Sequence, residues 1–311
     1  MTRHTGAVTR LAEARDAGQL KALWKTVFGD EDADIELYFD TYFSPELTAV
    51  VGDGMNPVSA AYILPVGALA LPDGRRLACA MLYAIATHPD FRGRGYGEAV
   101  TRAACAQAVK LGFPAVVLKP ADQGLFAFYE SRTRFRAFFE ADVSEYAAAD
   151  LPTHSPRLVL SPVSPAEYRR IRQRLLKNCA HIDMDERALA YQLCLCQKTG
   201  GGLYALLNDN QSSVNAGAAL GNAGAALGCA VIEREGGGTV HIKELLLSDG
   251  CRNGDAVSAA TGLQPAEKYI VSALPGTDKS KNKPFGMLTP PEGCSDVPYV
   301  YSAKWYGPAF D

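Results

Sequence analysis

Ile85-Ala86-Thr87-His88-Pro89-Asp90-Phe91-Arg92-Gly93-Arg94-Gly95-Tyr96-Gly97 is the stretch on which the reading of this chain turns. An apolar strand ends at Thr87, and a proline turn follows. Arg-Gly-Arg-Gly-Tyr-Gly then opens a segment, 97–111, in which Val100, Ala104, Ala108 and Leu111 recur at helical spacing. A glycine-rich turn leading into a helix is an anion site: backbone N–H groups converge, the helix dipole favours negative charge, and glycine lets a phosphate approach the chain. Two common phosphate motifs do not fit. A Walker loop needs Lys and Ser/Thr after its last glycine. The dinucleotide fingerprint needs G-x-G-x-x-G directly after a strand, whereas here the spacing is G-x-G-x-G and residues 88–92 intervene.

Arg92-x-x-Gly95-x-Gly97, with 85–90 ahead of it, resembles the coenzyme A pyrophosphate loop of the GNAT superfamily of N-acetyltransferases. That loop reads [RQ]-x-x-G-x-[GA] after a strand and a His/Asp-Pro turn. A second landmark is Leu125-Phe126-Ala127-Phe128-Tyr129-Glu130-Ser131, which resembles the family helix that ends in Phe-Tyr-Glu. One departure is that Arg134 stands where the family has a glycine before Phe135. The resemblance implies acetyl-CoA as co-substrate and no metal. It implies that Ile85, Ala86 and Thr87 bind the pantetheine and that Arg92, Gly93, Arg94, Gly95, Tyr96, Gly97 and Glu98 hold the pyrophosphate. It also implies Tyr129 as general acid, although the residues alone fit a buried aromatic there as well. The acceptor it implies is a primary amine of a small molecule or a peptide.

The pattern predicts an α/β (α+β) fold built twice. Residues 1–150 read β-α-α-β-β-β-α-β-α-β, with strands at 8–13, 47–51, 57–64, 76–87 and 115–119, helices at 16–28, 34–43, 97–111 and 125–131, and a final strand at 135–143. Four prolines between 152 and 165 mark a boundary near 150. Residues 151–311 repeat the early order: a strand at 157–160, helices at 166–180 and 186–198, strands at 203–207, 226–234 and 240–247, a short helix at 256–261 and a strand at 268–274. The turn 248–255 holds no R-x-x-G-x-G, so the second half reads as a degenerate GNAT-like domain walling the acceptor cleft. The tandem arrangement resembles the enhanced-intracellular-survival acetyltransferases. That resemblance implies a role for the terminal carboxylate of Asp311 if the tail threads back to the first domain. The heptad NAGAALG, written twice over 215–228, reads as a lengthened loop.

The composition excludes other classes. The chain has 311 residues, 31 Lys+Arg against 34 Asp+Glu, and a net charge of −3. It has no global attraction to nucleic acid or an anionic membrane. The second half carries 16 basic and 15 acidic residues, which disfavours an aminoacyl-transferring relative using charged tRNA. A non-catalytic acyl-CoA sensor is a further alternative, against which Tyr129 argues. The longest apolar run, 77–86, spans ten residues, against roughly 20 for a transmembrane helix. With no apolar run near Met1, the expectation is a cytoplasmic protein. Eight scattered cysteines suit neither a disulfide scaffold nor a zinc site. Asp30, Glu31, Asp32, Asp34, Glu36 and Asp40 crowd the turn between the first two helices, as an amine-attracting rim or a solvated helix start. Arg132, Arg134 and Arg136 alternate at a strand start, facing either phosphates or water.

Overall fold

The computed structural model describes residues 7–53, 56–152, 158–209, 226–276, 282–289 and 303–310. Backbone contacts divide the chain into two compact units. One comprises 1–68, 77–137 and 286–298; the other comprises 69–76, 138–285 and 299–311.

In the first unit, β1 (Val8–Leu11), β2 (Thr48–Asp53) and β3 (Asn56–Ala70) run antiparallel, with β4 (Arg76–Thr87) next to β3. α1 (Ala17–Phe28) and α2 (Asp32–Thr41) connect β1 to β2. α1 ends on Gly29, whose left-handed backbone closes the helix with an N–H bond to the Lys25 carbonyl. α3 (Tyr96–Lys110) makes the crossover from β4 to β5 (Ala115–Leu118), so those two strands are parallel. β5 is buried along its whole length and reads Ala-Val-Val-Leu, as expected of a strand covered on both faces. α4 (Gln123–Arg132) follows, its first turn capped by the Asp122 carboxylate accepting from the Leu125 N–H at 3.1 Å. Apolar residues of β2–β5, α3 and α4, with Phe135 and Met287, form one core.

The second unit repeats the plan. β7 (Leu158–Pro162), β9 (Gly202–Asn208), β10 (Gly228–Glu235) and β11 (Thr239–Leu247) are antiparallel neighbours. α5 (Pro165–Leu175) starts in a Ser164–Glu167 capping box with proline in its first turn. α6 (Glu186–Lys198) follows, and α7 (Asn253–Leu263) crosses from β11 to the parallel β12 (Lys268–Ala273). β6 (Arg136–Ala147) runs antiparallel to β12, with Lys268 opposite Ala147 and Ala273 opposite Asp142. At the centre lies Glu244, wholly buried. It accepts from Tyr168 Oη at 2.6 Å, Arg172 Nε at 2.9 Å and Trp305 Nε1 at 2.5 Å. Trp305 belongs to β14 (Lys304–Trp305), parallel to β8 (Ala180–Met184).

Three strands depart from the sequence reading. The helix expected over 166–180 stops at Leu175, and Ala180–Met184 is a buried strand; its five residues are too few to show a period of their own. β13 (Asn282–Leu288) and β14 carry no strand expectation at all. β13 closes the first unit: Met287 lies opposite Leu118, Leu288 lies opposite Val117, and the Thr289 N–H donates to the Val116 carbonyl at 2.9 Å. The strand beside β5 therefore comes from residues 286–288 of the unit, far from 1–150 in sequence. The duplicated heptad lies outside the described residues up to 225, as does Asp311. The tail before Asp311 packs in the second unit, where Phe310 meets the Tyr191 ring at 5.4 Å.

Because β13 covers β5, residues 1–150 produced alone would expose β5 as an unpaired apolar edge. We expect that fragment to be insoluble or molten by near-UV circular dichroism. In the full chain, Met287→Ala should cost about 2–5 kcal/mol in urea unfolding; a loss under about 0.5 kcal/mol would show that β13 does not close this core.

Candidate functional site

β4 pairs with β5 only at Cys79, Ala80 and Met81, opposite Ala115, Val116 and Val117. It then runs on for six more residues, to Thr87, beyond that pairing. Inside this stretch Ala84 has φ +43, the positive value that a non-glycine residue rarely takes, and it is the sole such residue among those described. The strand thus bends away from β5 and leaves a backbone edge open. Which groups face that edge follows from the pleat. His88 donates its N–H to Val58 of β3 at 2.9 Å, so by the two-residue period Ala86 also turns toward β3, and Ile85 and Thr87 turn their N–H groups to the open side.

At the end of the strand His88 caps a short 3-10 turn, its Nδ1 accepting from the Asp90 N–H at 3.3 Å. Gly93 and Gly95 have φ +76 and +79, and a Cβ on either would meet nothing within 4 Å. These glycines are therefore required by backbone conformation, while the space above them is empty of protein. Gly95 is the N-cap of α3, so the N–H groups of the helix's first turn point out at this turn. Arg92 Nε reaches the Thr87 carbonyl at 3.4 Å, Arg94 donates to the Asp90 carbonyl at 3.2 Å, and Arg94 lies over the Phe91 ring at 4.9 Å. Glu98, in the first helical turn, pairs with Arg102 at 3.0 Å. Tyr96 packs at the margin of the core. Of the ten residues of 85–87 and 92–98 singled out in the sequence, Ala86 is buried and turned to β3, while the other nine lie at least partly exposed along the end of β4, the glycine turn and the first turn of α3.

Tyr129 lies on α4, 7% exposed, within the core and against Phe128 (ring centroids 5.1 Å apart) and Phe135 (6.0 Å). Its hydroxyl makes no hydrogen bond among the described residues. Burial pushes its phenol well above the usual tyrosine value, and the nearby Cys105 adds to the shift. Cys105, on α3, is itself pushed up to about 12 by burial. The acidic turn is largely self-paired: Asp30 accepts from Trp24 Nε1 at 2.7 Å, Asp32 from Lys25 at 2.6 Å, and Glu36 pairs with Lys21. Arg136 folds back on the carbonyls of Glu130 and Phe135. Sequence reasoning missed Ser59, which bonds the end of β4; a lone serine in an apolar strand carries no signal of its own.

The second unit differs at the corresponding place. β11 also bulges, at Lys243, yet its parallel pairing with β12 resumes beyond the bulge, with Leu245 opposite Ala273. The edge that is open on β4 is thus occupied on β11. No group of three or more potential metal ligands occurs among the described residues. No helix among them is long and apolar enough to cross a membrane.

The family model described as an acetyltransferase (GNAT) domain matches residues 8–132. Over those residues the chain matches a GNAT domain. Solved structures agree on the fold. A GCN5-related N-acetyltransferase from Anabaena variabilis superposes with a TM-score of 0.64 at 17% identity, covering 91% of this chain and 72% of that one. A conserved Enterococcus faecalis protein gives 0.65 at 15%, again over 91% and 72%. A GCN5-related N-acetyltransferase from Kribbella flavida gives 0.60 at 16%, over 91% and 71%. No curated protein matches the sequence.

With one open edge in the first unit and a closed one in the second unit, calorimetry with coenzyme A should give one site per chain; two sites, or none, would contradict this. Gly95→Val forces a β-branched residue into φ +79. It should weaken coenzyme binding at least about tenfold, as a distortion costing about 1.4 kcal/mol or more implies, with far-UV circular dichroism unchanged.

Proposed function

We propose that the chain is an acetyl-CoA-dependent N-acetyltransferase that transfers the acetyl group to a primary amine of a small molecule or peptide by direct attack. The observation that carries this reading is the open edge of β4 leading straight into the N-terminus of α3. A thioester arm can add to a strand edge as an extra strand would, and its pyrophosphate then meets the helix N-terminus. In this reading the Ile85 and Thr87 N–H groups bond the pantetheine and thioester region, and the Arg92–Gly97 turn holds the phosphates. The dipole and two arginines supply the positive potential.

The amine must attack neutral. An alkylammonium of pKa about 10.4 is neutral in only about one part in 10³ at pH 7, so a proton acceptor or a lowered amine pKa is required. Collapse of the tetrahedral intermediate expels a thiolate. Tyr129 is the donor in this reading. With its phenol pushed above the ordinary value, it stays protonated through the working pH range. It therefore serves by donating a hydrogen bond to sulfur as charge develops, and the thiolate, the weaker base of the two, leaves ionised and takes its proton from water. A hydroxyl with no partner among the described residues is suited to that task. The second unit, lacking the open edge, is assigned no coenzyme of its own, and the protein is assigned to the cytoplasm.

Tyr129→Phe keeps the ring and removes the proton. Turnover should fall by roughly 10–10³-fold with coenzyme affinity and melting temperature near wild type. Because the phenol titrates above its usual value near 10, the wild-type rate should show no limb from this residue between about pH 6 and 9. Unchanged turnover in the variant would remove Tyr129 from the mechanism.

A further inference from the structure

We infer that Ser59 is a positioning residue for the coenzyme, acting through the last two residues of β4; this rests on the reading of that edge as the coenzyme site. Ser59 lies on β3 and is fully buried. Its Oγ is 2.7 Å from the Ala86 carbonyl and 2.9 Å from Thr87 Oγ1. A serine has one hydroxyl proton and a carbonyl can only accept, so that proton goes to Ala86. Thr87 must then donate to Ser59. The Thr87 hydroxyl proton is thereby spent inward, and toward any ligand this oxygen can only accept.

The pair fixes more than a side chain. Thr87 Oγ1 lies 3.6 Å from where a Cβ on Gly97 would stand, in the first turn of α3. Ser59 therefore ties three things into one geometry: the Ala86 carbonyl turned to β3, the Thr87 backbone turned to the open edge, and the seat beneath the helix N-terminus. β4 has no β5 partner here to hold it straight. The hydroxyl of Ser59 does part of that work, together with the His88–Val58 backbone bond. Without it, the Ala86 carbonyl loses a buried donor and Thr87 is free to rotate, so the N–H groups at the edge lose their fixed direction.

The test is calorimetric titration of the full chain with coenzyme A, at a temperature at which all variants are folded. Ser59→Ala should raise the dissociation constant by about 5–50-fold, as the loss of a buried hydrogen bond to the positioning framework implies. Ser59→Thr, which restores the hydroxyl, should recover most of the affinity. Thr48→Val removes another buried hydroxyl bond of the same unit, the 2.9 Å bond to the Ser44 carbonyl. It should lower the melting temperature comparably while leaving coenzyme affinity within about twofold, which a merely structural role for Ser59 would also produce for Ser59→Ala. Equal affinity in wild type and Ser59→Ala, or equal losses in Ser59→Ala and Thr48→Val, overturns the assignment of Ser59. If wild type binds no coenzyme A, the acetyltransferase reading falls, and this inference with it.

Discussion

The mismatch in length between β4 and β5 is the constraint on which the rest of the first unit depends. β5 has four residues, and three of them pair with β4, so the shorter strand runs out long before the longer one does. Here the pairing stops at Met81 and the longer strand carries on past a residue held at positive φ. Such a conformation in alanine is unfavourable by about 1–2 kcal/mol. It persists because the surroundings hold both ends of the bent stretch. Upstream, Cys79, Ala80 and Met81 are locked to a fully buried β5. Downstream, His88 bonds Val58, and Ser59 bonds Ala86 and Thr87.

An open strand edge is normally a liability, because unpaired N–H and C=O groups invite another chain. This edge is short, begins at a bend and ends in a glycine turn, so it suits a narrow ligand better than a strand. The electrostatics agree with that use. The open groups of the helix N-terminus follow directly after the edge. The nearby arginines, Arg92 and Arg94, lean on the Thr87 and Asp90 carbonyls. An elongated anion with an amide-bearing arm matches both halves of the surface.

The second unit shows what the same plan becomes when that feature is lost. β11 bulges as well, but β12 rejoins it, and the turn into α7, which holds Gly250 and Arg252, lacks the R-x-x-G-x-G spacing. Beside the bulge stands Glu244, a buried carboxylate satisfied by Tyr168, Arg172 and Trp305. Burying a charge is tolerable only when it is paired and hydrogen-bonded. This arrangement fixes the chain's last strand to its unit, and the place that is open in the first unit is here occupied by structure.

The sequence by itself determined the features that are local. The strand Arg76–Thr87 and the helix Glu186–Lys198 match the expected bounds, because apolar runs, caps and periodicity are written in neighbouring residues. The glycine turn was legible for the same reason: glycines at 93 and 95 permit the positive φ that the turn uses. Tyr129 was legible both as a candidate and as a buried aromatic through its setting in Leu125–Ser131, but the lack of a partner for its hydroxyl among the described residues was not. Tertiary structure alone decided that residues 286–288 close the first core against β5, that Ala180–Met184 is a strand, and that Ser59 reaches Ala86 and Thr87. Each of these rests on pairing between residues far apart in the chain. A seven-residue strand or a single hydroxyl carries no periodic signal of its own, and its meaning comes from the neighbour that folding brings to it.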